Sequence, residues 1–157
     1  MDLIYRWLKK RGFKDLFIEI GGEIRCGGFN KMGKDWVIGI DSPVENYRQS
    51  IFTTVQLRNT ALATSGNYRN YLEREGEKIN HSINPYTGKP VNTNVLSVSV
   101  KSENCLNADA WATALMIMTY DEGIEKINSL DEVEAFWILS DTNGNINQRY
   151  TENFFNN

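Results

Sequence analysis

The placement of glycine, proline and asparagine constrains this chain more than any other feature. These residues cut it into apolar runs too short for long helices and well suited to strands. Leu16 to Ile20 reads as a buried strand, broken by Gly21-Gly22. Glu23 to Cys26 resumes in extended form, and Gly27-Gly28 with Gly33 marks a turn. Trp36 to Ile40 is a further strand, closed by Asp41-Ser42-Pro43. Residues 51–58 are β-branched and aromatic and read as strand. Thr60 to Thr64 is short and apolar, and Ser65-Gly66-Asn67 carries a turn signal. Tyr68 to Tyr71 and Lys78 to Ile83 are set to pair across the polar Glu73–Gly76 loop. Residues 84–90 are loop, Val95 to Val100 alternates as a half-buried strand, and Ala135 to Leu139 is the last strand. After the Asp141–Gly144 turn the Asn-rich end is expected to fray.

Helical periodicity appears in only three places. Leu3, Ile4, Trp7 and Leu8 give an amphipathic helix over 2–11, stopped by Gly12 and unlike a signal peptide. The other two run from about Ala108 to Met118 and from Glu122 to Ile127. Strands and helices do not alternate as βαβ units, so the fold class is α+β: a mostly antiparallel sheet with helices packed on it. At 157 residues and 41% hydrophobic content, one domain can bury a real core. A net charge of -3 with no basic run argues against nucleic acid as a partner. No apolar stretch is long enough to span a bilayer. Cys26 and Cys105, the only cysteines, read as small buried residues rather than a disulfide framework.

Four segments can carry chemistry. The helix from Asn107 is apolar nearly all round, which predicts burial, and its only polar side chains after the cap are Asp109 and Thr113. They are four apart and share a face. A hard cation such as Mg²⁺, completed by substrate phosphates, would use such a sparse oxygen pair. The plainer account of the spacing is a carboxylate near the helix N-terminal dipole and a hydroxyl bonded to a carbonyl. Ala63-Thr64-Ser65-Gly66-Asn67-Tyr68 lets backbone N–H groups approach an anion, or is simply a turn. His81, the only histidine, stands beside the rigid Asn84-Pro85-Tyr86-Thr87-Gly88 turn and is the one imidazole available for acid–base work. Gly21-Gly22-Glu23 points to close approach of a ligand or of another backbone. It has neither the helix of a dinucleotide fingerprint nor the ending of a Walker loop.

In this order the segments resemble the ApbE family of FAD:protein FMN transferases. The family pattern runs Gly-Gly-Asp, Trp-x-Val-Gly-Ile-x-x-Pro, Ala-Thr-Ser-Gly-x-Tyr, His-x-Ile-Asp-Pro-x-Thr-Gly-x-Pro and Ala-Asp-x-x-x-Thr-Ala-Leu. This chain supplies Gly21 to Glu23, Trp36 to Pro43, Ala63 to Tyr68, His81 to Pro90 and Ala108 to Leu115. Glu23, Asn67 and Asn84 stand where the family usually has Asp. The resemblance implies that Asp109 and Thr113 hold a catalytic Mg²⁺. It places Gly21, Gly22, Glu23, Thr64, Ser65, Gly66 and Tyr68 around FAD, and has His81 assist transfer.

The implied reaction moves FMN from FAD to a Ser or Thr hydroxyl of an acceptor flavoprotein and releases AMP. Hydrolysis of FAD to FMN and AMP, and a non-catalytic flavin-binding module, are the alternatives. Family members are about twice this length. The chain is therefore expected to be a single domain, the C-terminal portion of such an enzyme, with the N-terminal half absent. By the same resemblance the location is the bacterial cell envelope, on the periplasmic side, as a lipoprotein anchored outside this chain.

Overall fold

The computed structural model describes residues 1–43, 50–67, 71–74, 77–80, 83–85, 87–91 and 93–156, with 71–74 and 77–80 described as backbone only. A short helix, α1 (Asp2–Lys10), leads into the strands β1 (Leu16–Ile20), β2 (Glu23–Gly27), β3 (Trp36–Asp41), β4 (Ile51–Leu57) and β5 (Ala61–Gly66). After them come β6 (Tyr71–Arg74), β7 (Glu77–Asn80) and β8 (Val95–Ser102). The helices α2 (Cys105–Leu115) and α3 (Tyr120–Asn128) precede β9 (Val133–Ser140) and β10 (Ile146–Tyr150).

Six strands form one antiparallel sheet in the order β1-β2-β5-β8-β9-β10. The pairs β3–β4 and β6–β7 are separate hairpins. Alternation along the strands divides the core in two. On β9, Val133, Ala135, Trp137 and Leu139 pack with Ala108, Ala112 and Leu115 of α2 and Ile127 of α3. Phe136 and Ile138 point the other way and meet Ile38, Ile40, Val55 and Leu57 of the β3–β4 hairpin. The molecule is thus three layers: helices, sheet, hairpin. The α+β class read from the sequence is the observed one.

Local chemistry explains the element ends. Gly21 and Gly22 have φ of 68° and 99° and form the whole connection between Ile20 and Glu23, which pair. Two consecutive positive φ values make the type I′ hairpin turn, which glycine adopts without strain. The glycines therefore serve the turn; a Cβ on Gly22 would meet nothing within 4 Å, so no close approach demands it.

The start of α2 is satisfied from two sides. The Asn104 side chain accepts from the Asn107 N–H at 2.9 Å. Asp2 of α1 accepts from the N–H groups of Cys105 and Leu106 at 3.0 and 3.1 Å. Orphan donors at a helix N-terminus need such acceptors. At α3, Thr119 and Glu122 form a reciprocal capping box.

Several expectations are corrected. Ser65 and Gly66 are not a turn: they extend β5, opposite Val98 and Ser97 of β8, because the long neighbouring strand offers ladder partners. Glu73 and Arg74 belong to β6, paired with Lys78 and Glu77, rather than to a loop. The helix expected over 108–118 begins at Cys105, capped by Asn104, and ends at Leu115. It is buried on one face only, through Cys105, Ala108, Ala112 and Leu115, whereas Leu106, Asp109, Ala110 and Thr113 are exposed. The C-terminal region is not frayed. Strand β10 pairs with β9, and Phe154 is fully buried against Phe136 at 5.4 Å between ring centroids. Lys101 Nζ fastens that end by donating to the carbonyl oxygens of Asn153, Phe154 and Asn156. As expected, Cys26 and Cys105 are free and buried.

Candidate active site

A cleft of about 770 Å³ opens between the β1–β2–β5 side of the sheet and the β3–β4 hairpin. Phe17 and Glu19 line it from β1, and Gly21 and Gly22 from the hairpin turn. The walls continue with Val37 to Asp41 of β3, Ile51 of β4, and Leu62, Thr64, Ser65 and Gly66 of β5. Thr113, in the last turn of α2, and Met116, just beyond it, close one side. Its size is that of a pocket for a substantial organic ligand.

The hydroxyl groups gather where β5 meets α2. Thr64 Oγ1 and Ser99 Oγ lie 2.7 Å apart across the β5–β8 ladder, a full hydrogen bond. Ser65, next along β5, faces the helix instead, and its Oγ lies 3.4 Å from Thr113 Oγ1. That longer distance leaves both hydroxyls with capacity for a ligand. Asp109 is one turn before Thr113 on the same exposed face.

Of the residues singled out in the sequence, Gly21, Gly22, Thr64, Ser65, Gly66 and Thr113 converge on this one cleft from three separate segments. Glu23 and Asp109 do not line it; Glu23 turns its carboxylate back toward Gly21. His81 and Tyr68 lie outside the described residues. The expected burial of Asp109 is corrected: it is exposed, because the small alanines of α2 bury a face without it.

Sequence reasoning gave no role to Phe17, Glu19 or Val37. Their signal was faint: Val37 sits in the quoted Trp-Val-Ile-Gly-Ile run, yet its side chain is 61% exposed, unusual for an apolar strand residue.

Among the described lining residues the ionisable groups are the carboxylates Glu19 and Asp41, with no Lys or Arg. A cation would offset the charge of a phosphate-bearing ligand placed beside these carboxylates. Among the described residues no three His, Cys, Asp or Glu side chains gather into a metal-binding group. Thr113 at the cleft and Asp109, one helical turn away and outside the lining, carry hard oxygens of the kind Mg²⁺ takes together with phosphate and water.

Known proteins resemble this chain over nearly its whole length. A sequence model described as the ApbE family matches residues 1–137. A FAD:protein FMN transferase of Vibrio cholerae serotype O1 is 36% identical over 144 residues, spanning 92% of this chain and 42% of that protein. One from Buchnera aphidicola subsp. Schizaphis graminum is 39% identical over 136 residues, spanning 87% of this chain and 39% of that protein. Among solved structures, the flavin transferase ApbE from Vibrio cholerae superposes with a TM-score of 0.82 at 32% identity, covering 98% of this chain and 47% of the other. The apo form of the Pseudomonas stutzeri flavinyl transferase ApbE gives 0.81 at 30% identity, covering 99% and 48%. The chain thus spans less than half the length of these relatives, and within that span it belongs to the ApbE family.

Proposed function

We propose that this chain is the metal-bearing part of a FAD:protein FMN transferase. One observation carries the reading: segments more than 90 positions apart in sequence, from Gly21 to Thr113, meet around a single cleft. Family membership adds the chemistry that the relatives' names state.

In the proposed reaction an acceptor Ser or Thr hydroxyl attacks the phosphorus on the FMN side of the FAD diphosphate. The new ester O–P bond forms as the P–O bond to AMP breaks, and the hydroxyl proton is lost. The Thr64–Gly66 stretch of β5 and the Gly21-Gly22 turn would position the dinucleotide. Asp109 and Thr113 would hold Mg²⁺ against the diphosphate. When bound, that ion supplies the positive charge that phosphoryl transfer needs at a leaving phosphate. Ser65, beside Thr113, would keep that hydroxyl turned to the cleft. His81 is the proposed proton acceptor for the attacking hydroxyl.

The test is incubation of the protein with FAD, Mg²⁺ and a candidate acceptor domain, read by intact mass and by AMP release. The expected result is an acceptor heavier by one FMN with one AMP formed per transfer. An acceptor of unchanged mass after prolonged reaction counts against the reading.

A further inference from the structure

Two walls of the cleft are built differently. From β1 it takes Phe17 and Glu19, alternate residues, so β1 presents a side-chain face. From β3 it takes Val37, Ile38, Gly39, Ile40 and Asp41, consecutive residues of both side-chain directions. Consecutive residues reach a cavity together when the backbone edge of their strand faces it. Among the described residues β3 pairs with β4 alone, so its other edge is turned to the cleft.

The direction of the backbone groups follows. The N–H of Ser42, just past β3, donates to Ser50 O on the β4 side at 2.9 Å. N–H direction alternates along a strand. Ile38 and Ile40 therefore share the direction of Ser42, and Val37 and Gly39 direct their N–H groups into the cleft. This edge also lacks the usual protections. Val37 to Ile40 contains no Lys, no Pro and no internal charge, and the register shift comes only at Ile40/Asp41. Val37 and Ile51 on the adjacent face are each 61% exposed and apolar.

We infer that the free edge of β3 receives the acceptor protein as an added strand, holding the segment that bears the hydroxyl in extended form. The inference rests on the transferase reading, which requires a second polypeptide to enter this cleft. At about 3.4 Å per residue, the five lining residues offer an edge of about 17 Å, enough to pair with a peptide segment of several residues. A flavin or adenine edge would engage one or two residues of it. β-Augmentation of this kind takes its affinity from main-chain bonds and its selectivity from alternate side chains. The Glu19 carboxylate on the facing wall favours a neutral or basic segment over an acidic one.

The probe is a synthetic peptide with blocked ends, Lys-Thr-Val-Thr-Val-Thr-Lys, added to the 157-residue chain in the absence of FAD. Amide hydrogen exchange is followed residue by residue. Exchange at Val37 and Gly39 is expected to slow at least about tenfold, with Ile38 and Ile40, already bonded to β4, unchanged. The Val37→Pro variant removes only a cleft-facing donor, a change edge strands tolerate. It is expected to lose peptide binding while keeping its circular dichroism and its thermal unfolding midpoint. The inference is overturned if the peptide leaves Val37 and Gly39 unprotected, or if folded Val37→Pro binds it like the parent. It is equally overturned if FAD alone protects these two amides, since the edge would then read the nucleotide. Because the exchange measurement needs no turnover, its failure is distinct from a failure to transfer FMN.

Discussion

At the scale of single residues, Asp109 is the decisive test of the proposed metal role. It is exposed, so its removal should leave the fold intact; surface changes of this kind typically alter stability by no more than about 0.5 kcal/mol. Asp109→Asn keeps size and hydrogen bonding but removes the charge. AMP release from FAD in the presence of acceptor is expected to fall about 10²–10³-fold, with the thermal unfolding curve unmoved. The buried thiols make a different prediction. Burial pushes Cys26 up to about 12 and Cys105 up to about 11 from an ordinary 9.0. Above pH 9.0 the unfolded chain gives up thiol protons that the folded chain keeps, so unfolding is favoured as pH rises. The contribution of these thiols to stability is whole below pH 9.0 and declines from there toward pH 11–12, a loss that Cys26→Ala should reduce in a denaturant titration across that window. The i,i+4 relation of Asp109 and Thr113 was legible from spacing alone, because helical geometry fixes it. Their exposure was not: alanine is small and apolar on either face, so α2 carries no amphipathic signal.

At the scale of elements, α1 and α2 are joined by one carboxylate. Asp2 accepts from two backbone N–H groups of α2 and lies 3.9 Å from the Nε of Arg25, whose side chain is only 9% exposed and stacks over Tyr5. Asp2→Ala strips the helix of a second cap and leaves that guanidinium without its carboxylate. A loss of about 1–2 kcal/mol is expected in urea unfolding, with Asp2→Asn recovering part of it through its remaining acceptor. Strands with apolar runs, β1, β3, β4, β8 and β9, were legible because β-branched and aromatic residues mark a half-buried pleat. Strand β10 was not, since Ile-Asn-Gln-Arg-Tyr has no apolar alternation and owes its form to the neighbouring β9. The reach of β5 into Ser65 and Gly66 was hidden for the same reason. Local propensity favours a turn there, and pairing with β8 overrules it.

At the scale of the whole molecule, the sheet is held between two unlike layers, and the C-terminal turn is part of the second. Phe154 is fully buried among Phe136 and Phe155, and Lys101 ties its carbonyl down. Phe154→Ala is expected to cost about 3–5 kcal/mol, measurable as an earlier denaturation midpoint with an unchanged slope. The α+β layering was accessible in advance because βαβ alternation is absent. The route by which distant segments share one cleft was not, since strand order follows long-range pairing that no local pattern encodes.

The β3–β4 hairpin has a double duty. Ile38, Ile40, Val55 and Leu57 seal half of the interior, while Val37, Gly39 and Ile51 border the opening. A guest lodged there leans on the same clasp that keeps the interior dry, so occupancy should be legible as heat resistance. At a concentration 100-fold above Kd, a bound molecule opposes unfolding by about 2.7 kcal/mol. Screening nucleotides and peptides by melting temperature would therefore rank the occupants of this opening without any turnover at all.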